Sequence, residues 1–238
     1  GHFAPYAPGI ALLARHLHMP WSTFLHGVDF LQWERNMLRR SLRNRTIRSA
    51  TRVIANGTFL AAAAKNAGVD EQKIYIASPG VDAAVYYPDR AKRFFEEQGI
   101  LNKTVVLSAG RLISRKGFDT TLNAFAEVRK HIHNAELVIL GDGPERSALE
   151  QQAATLGIKD AVRFLGTIAD VSIKRQWYSA ASCFVLPTRI VETWNVETFG
   201  MVYLEALACG TPVVASDIGG IRDIVQDSVN GLLVGDGT

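Results

Sequence analysis

From Thr104 onward, short apolar runs alternate with amphipathic stretches. Val105-Val106-Leu107, Leu137-Val138-Ile139-Leu140, Val162 to Leu165, Cys183 to Leu186, Val213-Val214 and Leu232-Leu233-Val234 are each too short for a helix. Runs of this kind suit strands buried on both faces, as in a parallel sheet. Between the first two, Phe118, Leu122 and Phe125 recur at helical spacing, with Lys130 on a polar flank. After the second, Pro144 opens a predicted helix that Gly157 closes. The rhythm predicts a doubly wound α/β domain over residues 104–238, with ligands at the carboxyl ends of its strands.

Residues 1–88 show a weaker form of the same rhythm. Trp21 to Leu25, Arg52 to Ala55 and Ile74-Tyr75-Ile76 read as strands, and Thr58 to Asn66 as an alanine-rich helix. The turn Ser78-Pro79-Gly80 follows, and Pro88 with the charged stretch after it makes residues 89–103 the expected connector.

Composition narrows the class without naming a function. The chain has 238 residues, enough for two modest cores, of which 47% are hydrophobic and 21% charged. A net charge of +3 gives no reason to invoke nucleic acid. Cys183 and Cys209 both sit in apolar surroundings, which is neither a disulfide framework nor a zinc pattern; with no leader-like or spanning segment, a cytoplasmic location is expected.

Two clusters carry candidate chemistry. Gly110-Arg111-Leu112-Ile113-Ser114-Arg115-Lys116-Gly117 follows a predicted strand and precedes a predicted helix, where backbone N–H groups and the helix dipole favour an anion. Arg111 offers a planar fork of donors and Lys116 a compact charge, a pair suited to a diphosphate; a solvated basic loop is the plainer alternative. In the second cluster, Glu197 and Glu205 flank the seven residues Thr198-Phe199-Gly200-Met201-Val202-Tyr203-Leu204. A helix starting near Phe199 puts Glu205 about two turns in and leaves Glu197 in the loop before it. Paired glutamates alone are more often a solvated helix face than a site, but Glu205 lies among apolar neighbours, where burying an unpaired carboxylate is costly.

These residues, with His26-Gly27-Val28-Asp29, Pro79-Gly80-Val81-Asp82, Tyr87-Pro88, Gly141-Asp142-Gly143-Pro144, Phe164-Leu165-Gly166, Gly219-Gly220 and Asn230-Gly231, stand in the order and spacing of a known family. The chain resembles the retaining, GT-B-fold glycosyltransferases of group 1, over essentially its whole length. The resemblance implies two Rossmann-like domains, the first incomplete. Residues 1–88 would form the acceptor-side domain and residues 104–238 the donor-nucleotide domain.

The resemblance also implies a role for each residue. Gly110, Arg111 and Lys116 would hold the donor diphosphate, and the backbone of Phe199, Gly200, Met201 and Val202 would line phosphate and sugar. Glu205 would accept from the ribose, Glu197 would contact the transferred sugar, and His26 would sit near the reacting centre. The base would lie against Gly143 in its turn and against Thr167 with Ile168. The implied activity is metal-independent transfer of a hexosyl group from a nucleotide-diphosphate sugar to a hydroxyl acceptor (a glycan, a lipid-linked or a small molecule). No cofactor and no metal site is expected. A binding module without catalysis, or an epimerase or phosphorylase on the same fold, are the rivals.

Three departures from the family pattern stand out. The loop Thr188 to Val196 is longer than usual and carries Glu192; Asp223 stands where the family has glutamate; and the chain begins after the family's opening strands and glycine loop and stops before its crossing helix. The resemblance therefore makes a truncated first domain the expectation. Separately, Arg35, Arg39, Arg40, Arg43, Arg45, Arg48 and Arg52 follow Phe30, Leu31 and Trp33. Such a stretch can lie on an anionic membrane or simply keep a helix face solvated.

Overall fold

The structure, a computed structural model, describes residues 6–89, 92–192 and 194–235. His2, where the family resemblance begins, Arg90 and Ala91 of the expected connector, and Thr193 of the long loop lie outside the described residues, as do residues 236–238. The chain divides into two compact units. The first gathers the described residues up to Pro79 with those of Ile190–Phe199 and Gly219–Asp223; the second holds those of Gly80–Arg189 and Gly200–Ile218 and those from Ile224 on.

The first unit is a three-stranded parallel sheet with helices. In chain order it contains α1 (Ala7–His16), β1 (Ser22–Leu25), α2 (Val28–Leu31), α3 (Met37–Arg48), β2 (Arg52–Ala55), α4 (Thr58–Asn66) and β3 (Ile74–Ile76), with sheet order β1-β2-β3. Asn36 starts α3 by accepting from the amides of Leu38 and Arg39, the usual work of an N-cap side chain. The arginine-rich stretch is not uniformly solvated. Arg43 is buried, pairs with Glu34, bonds Asn44 at 2.8 Å and lies 4.4 Å from the Phe30 ring centre.

Asp223 belongs to this unit, and its place explains why a carboxylate stands there. Oδ2 accepts from the Thr58 amide and Oδ1 from the Thr58 hydroxyl, each at 2.6 Å, so Asp223 satisfies the amino end of α4 from a distant part of the sequence. It reaches that amide because Gly57 has no side chain; a Cβ there would stand 2.3 Å from Oδ2.

The second unit is a six-stranded, all-parallel sheet. Its elements are α5 (Lys92–Glu97), β4 (Thr104–Ala109), α6 (Phe118–His131), β5 (Ala135–Leu140), α7 (Arg146–Thr155), β6 (Val162–Gly166), α8 (Val171–Ala180), β7 (Cys183–Leu186), α9 (Met201–Ala208), β8 (Val213–Ser216) and β9 (Gly231–Val234). The order β6-β5-β4-β7-β8-β9 reverses direction between β4 and β7, the doubly wound arrangement in which the crevice at the strand ends takes a ligand. β5 is buried at all six positions and β4 at its last five, which is why both read as apolar runs. Trp177 of α8 is 2% exposed and meets Phe94 of α5 edge to face at 5.2 Å. The expected connector thus carries a helix that adds an aromatic pair to this core.

Candidate functional site

A cavity of about 380 Å³ opens at the carboxyl ends of β4, β5 and β6. Its wall is made by Gly110 and Arg111 after β4, Gly141 and Asp142 after β5, Thr167 and Ile168 after β6, with Lys174 of α8 and Val202 of α9. Close backbone contact builds this corner. Gly141 has φ 129°, and a Cβ on it would lie 1.9 Å from the Gly110 carbonyl oxygen, so only glycine lets the two turns meet. The ladder between β5 and β6 shifts register at Leu140, which pairs with Gly166 instead of Leu165. Such an irregularity re-aims the chain at a sheet's end, and here Thr167 and Ile168 follow it onto the wall.

The turn carrying Lys116 is held from three sides. Arg189 donates from its amide to the Arg115 carbonyl at 2.9 Å, from Nε to the Ser114 carbonyl at 2.8 Å, and from its guanidinium to Asp119 at 2.5 Å. Gly117 ends the turn at φ 70°, with the Pro187 carbonyl oxygen 2.0 Å from where a Cβ would stand. Lys116 runs back beside Gly110, its Cε 3.8 Å from the equivalent point there. Gly143 packs its backbone against Leu112, and its amide donates to Asp142 at 2.7 Å.

Glu205 lies behind this wall. Helix α9 begins at Met201, after Gly200 at φ 98°, so Glu205 sits one turn in and not two: the left-handed residue delays the helix start expected near Phe199. The amides of Met201 and Val202 fall in the first turn, where no carbonyl of the same helix can accept from them. The Glu205 carboxylate accepts from the Tyr178 hydroxyl at 2.7 Å, from Lys174 at 2.7 Å and from the Tyr86 hydroxyl at 3.1 Å. Burial, and then the charge of Glu205, raise both phenols above their ordinary pKa, so they stay protonated donors.

His26, Glu197 and Phe199 fall in the first unit. The His26 ring stacks on Phe24 at 4.5 Å. Its carbonyl accepts from Thr198 at 2.9 Å and from Asn56 at 3.2 Å, while Asp29 takes the amides of His26 and Gly27. The residue after Glu197 therefore clasps the turn after β1. On its other side the Glu197 carbonyl accepts from the Gly220 amide at 3.1 Å.

The family model for "Glycosyl transferases group 1" matches residues 89–238, and that for "Glycosyltransferase Family 4" matches residues 2–85. The chain belongs to the group 1 glycosyltransferases. It is 37% identical over 163 residues to a GDP-mannose-dependent alpha-(1-6)-phosphatidylinositol monomannoside mannosyltransferase of Mycolicibacterium smegmatis, covering 67% of this chain and 42% of that protein. It is also 37% identical over 179 residues to a D-inositol 3-phosphate glycosyltransferase of Frankia alni, covering 69% and 41%. The match thus spans about two fifths of these relatives' length. Among solved structures, Anabaena HepE in complex with UDP superposes with a TM-score of 0.85 at 26% identity, over 97% of this chain and 62% of that one. The two parallel sheets of this group 1 glycosyltransferase are those of the GT-B fold.

Of the residues singled out from sequence, Gly110, Arg111, Thr167 and Val202 line the cavity together. Lys116 stands beside Gly110, and Glu205 behind Lys174. Sequence reasoning missed Lys174, Tyr86 and Tyr178. Tyr86 adjoins the Tyr87-Pro88 mark, which could have drawn attention to it; Lys174 and Tyr178 lie on α8 in no motif at all. Among the described residues no group of three or more His, Cys, Asp or Glu could hold a metal ion, and no helix is long and apolar enough to cross a membrane.

Proposed function

We propose that the protein carrying this chain transfers a hexosyl group from a nucleotide-diphosphate sugar to a hydroxyl acceptor, with retention of anomeric configuration. The observation that carries the reading is the cavity at the strand ends, with the Arg111 fork on its wall and the start of α9 at its edge through Val202. Cations and unpaired amides placed where a diphosphate leaves stabilise the charge that grows there. Arg111 and Lys116 are assigned to the diphosphate, Glu205 to the ribose, and Thr167 and the Gly143 turn to the base. Glu197 and His26 are assigned to the transferred sugar. Retention is carried over from the family resemblance. The relatives' names mention GDP-mannose, and HepE was crystallised with UDP and with UDP-glucose, so those are the donors to try first.

Release of nucleoside diphosphate in the presence of an acceptor tests transfer. Replacing Arg111 or Lys116 with alanine is expected to lower donor use by about 10²-fold or more, the scale of one lost charge-stabilising donor. Unchanged kinetics in both variants overturns the phosphate assignment. Binding without turnover favours a non-catalytic module, and inversion of a ring carbon favours an epimerase. Metal independence and a cytoplasmic location belong to the same proposal; loss of transfer with chelator, restored by magnesium or manganese, overturns the first.

A second reading concerns the first unit's surface. Met37 and Leu38, 79% and 81% exposed, adjoin the exposed Arg39 and Arg40 on α3, which favours contact with anionic lipid. Vesicles rich in anionic lipid should sediment the chain at low salt and release it as salt rises, because about 1 kcal/mol per basic residue is screened. No sedimentation at low salt removes this reading.

A further inference from the structure

Glu205 does not line the cavity itself, but its partner Lys174 does. The Lys174 ammonium donates to Glu205 Oε2 at 2.7 Å and stands 3.5 Å from the Tyr86 hydroxyl. An ammonium has three N–H groups, and these contacts use at most two. A carboxylate has about four acceptor sites; Tyr178 and Lys174 share Oε2 and Tyr86 takes Oε1, which leaves a site on Oε1. The spare donor thus belongs to a residue of the cavity wall, beside Thr167 and Ile168, and the spare acceptor belongs to the carboxylate it contacts, one turn along α9 from Val202. A pair of neighbouring hydroxyls has the matching requirement, since each hydroxyl both donates and accepts.

We propose that Lys174 is a ligand contact that reads the ribose diol jointly with Glu205: Lys174 donates to a hydroxyl oxygen and Glu205 accepts from a hydroxyl. The inference rests on the nucleotide-sugar reading above and adds a specificity-determining residue to it. The geometry favours this over a purely structural salt bridge. Each carboxylate oxygen already has a tyrosine donor, while Lys174 alone among Glu205's described partners also lines the cavity. Its place on α8 is fixed, since Asp170 starts the helix by accepting from the amides of Ser172 and Ile173.

The test is calorimetric binding of UDP, GDP and their 2′-deoxy analogues to the whole chain, as wild type, Lys174→Met and Lys174→Arg, with thermal melts of each. Lys174→Met is expected to weaken the ribonucleotide about 10- to 100-fold, the scale of one hydrogen bond from a charged donor. The 2′-deoxy analogue should weaken far less, so that the preference for ribose collapses; Lys174→Arg should restore part of it. An unchanged preference in Lys174→Met, tighter binding, or equal weakening of both analogues overturns the role of Lys174. Should Lys174→Met not fold, Lys174→Gln is read the same way. Failure of wild type to bind either UDP or GDP overturns the nucleotide reading itself, and this inference with it.

Discussion

The two sheets are both parallel, yet they treat their strands differently. β5 in the second unit is buried at every position, whereas β3 in the first leaves Tyr75 47% and Ile76 52% exposed. A strand flanked by neighbours and covered on both faces transmits any change in volume to the whole core; an edge strand open to water does not. The second unit can therefore hold backbone turns against one another at its cavity. The first has such a backbone approach of its own, Gly219 and Gly220 against the Glu197 and Thr198 carbonyls, and adds polar clasps such as Asp223 on α4 and Thr198 on the His26 carbonyl.

That contrast can be broken most directly in the strands. Ile139→Ala, at a fully buried position of β5, should lower unfolding stability by about 2–5 kcal/mol, while Ile76→Ala in β3 should change it by less than about 0.5 kcal/mol. Equal losses in urea titrations would erase the distinction. Next in size is Gly117→Ala, which meets both a left-handed backbone and the Pro187 carbonyl; about 2–3 kcal/mol is expected by the same titration.

Tyr178→Phe should cost about 1–2 kcal/mol at neutral pH, because the buried Glu205 loses a donor. Its pH dependence carries the sign. The folded state holds the phenol above its ordinary pKa of about 10, so its contribution is complete below that pH and is lost as pH rises past it. Melting curves of wild type should fall above about pH 10, and those of Tyr178→Phe should fall less. Smallest is Asp223→Ala, about 1 kcal/mol for a lost helix cap. A loss confined to the first unit, read by amide exchange in α4, would sharpen the contrast; no change there would show that α4 needs no clasp.

The central strands were legible because burial on both faces leaves an unbroken apolar signature, as in Leu137-Val138-Ile139-Leu140, whereas β6 and β9 read as apolar runs although neither is fully buried at any position. Gly110 and Arg111 were legible because bare backbone and a cation stand together in one short stretch between a strand and a helix, and Gly141 because it belongs to a motif of the family. The start of α9 was misplaced by two residues, since nothing local says that Gly200 adopts φ 98°. Lys174 and Tyr86 were invisible for another reason. They meet Glu205 across 31 and 119 positions, and a contact made only by folding leaves no spacing to read. The same holds for Asp223, whose role appears only when Gly57 and Thr58 are brought to it.

The clasp on α4 has a consequence for synthesis. Thr58 and Asp223 are 165 positions apart, and a ribosome adds roughly 5–20 residues each second. Asp223 therefore leaves the ribosome about ten to thirty seconds after the helix it completes. Throughout that interval the nascent α4 presents its first amides unclasped.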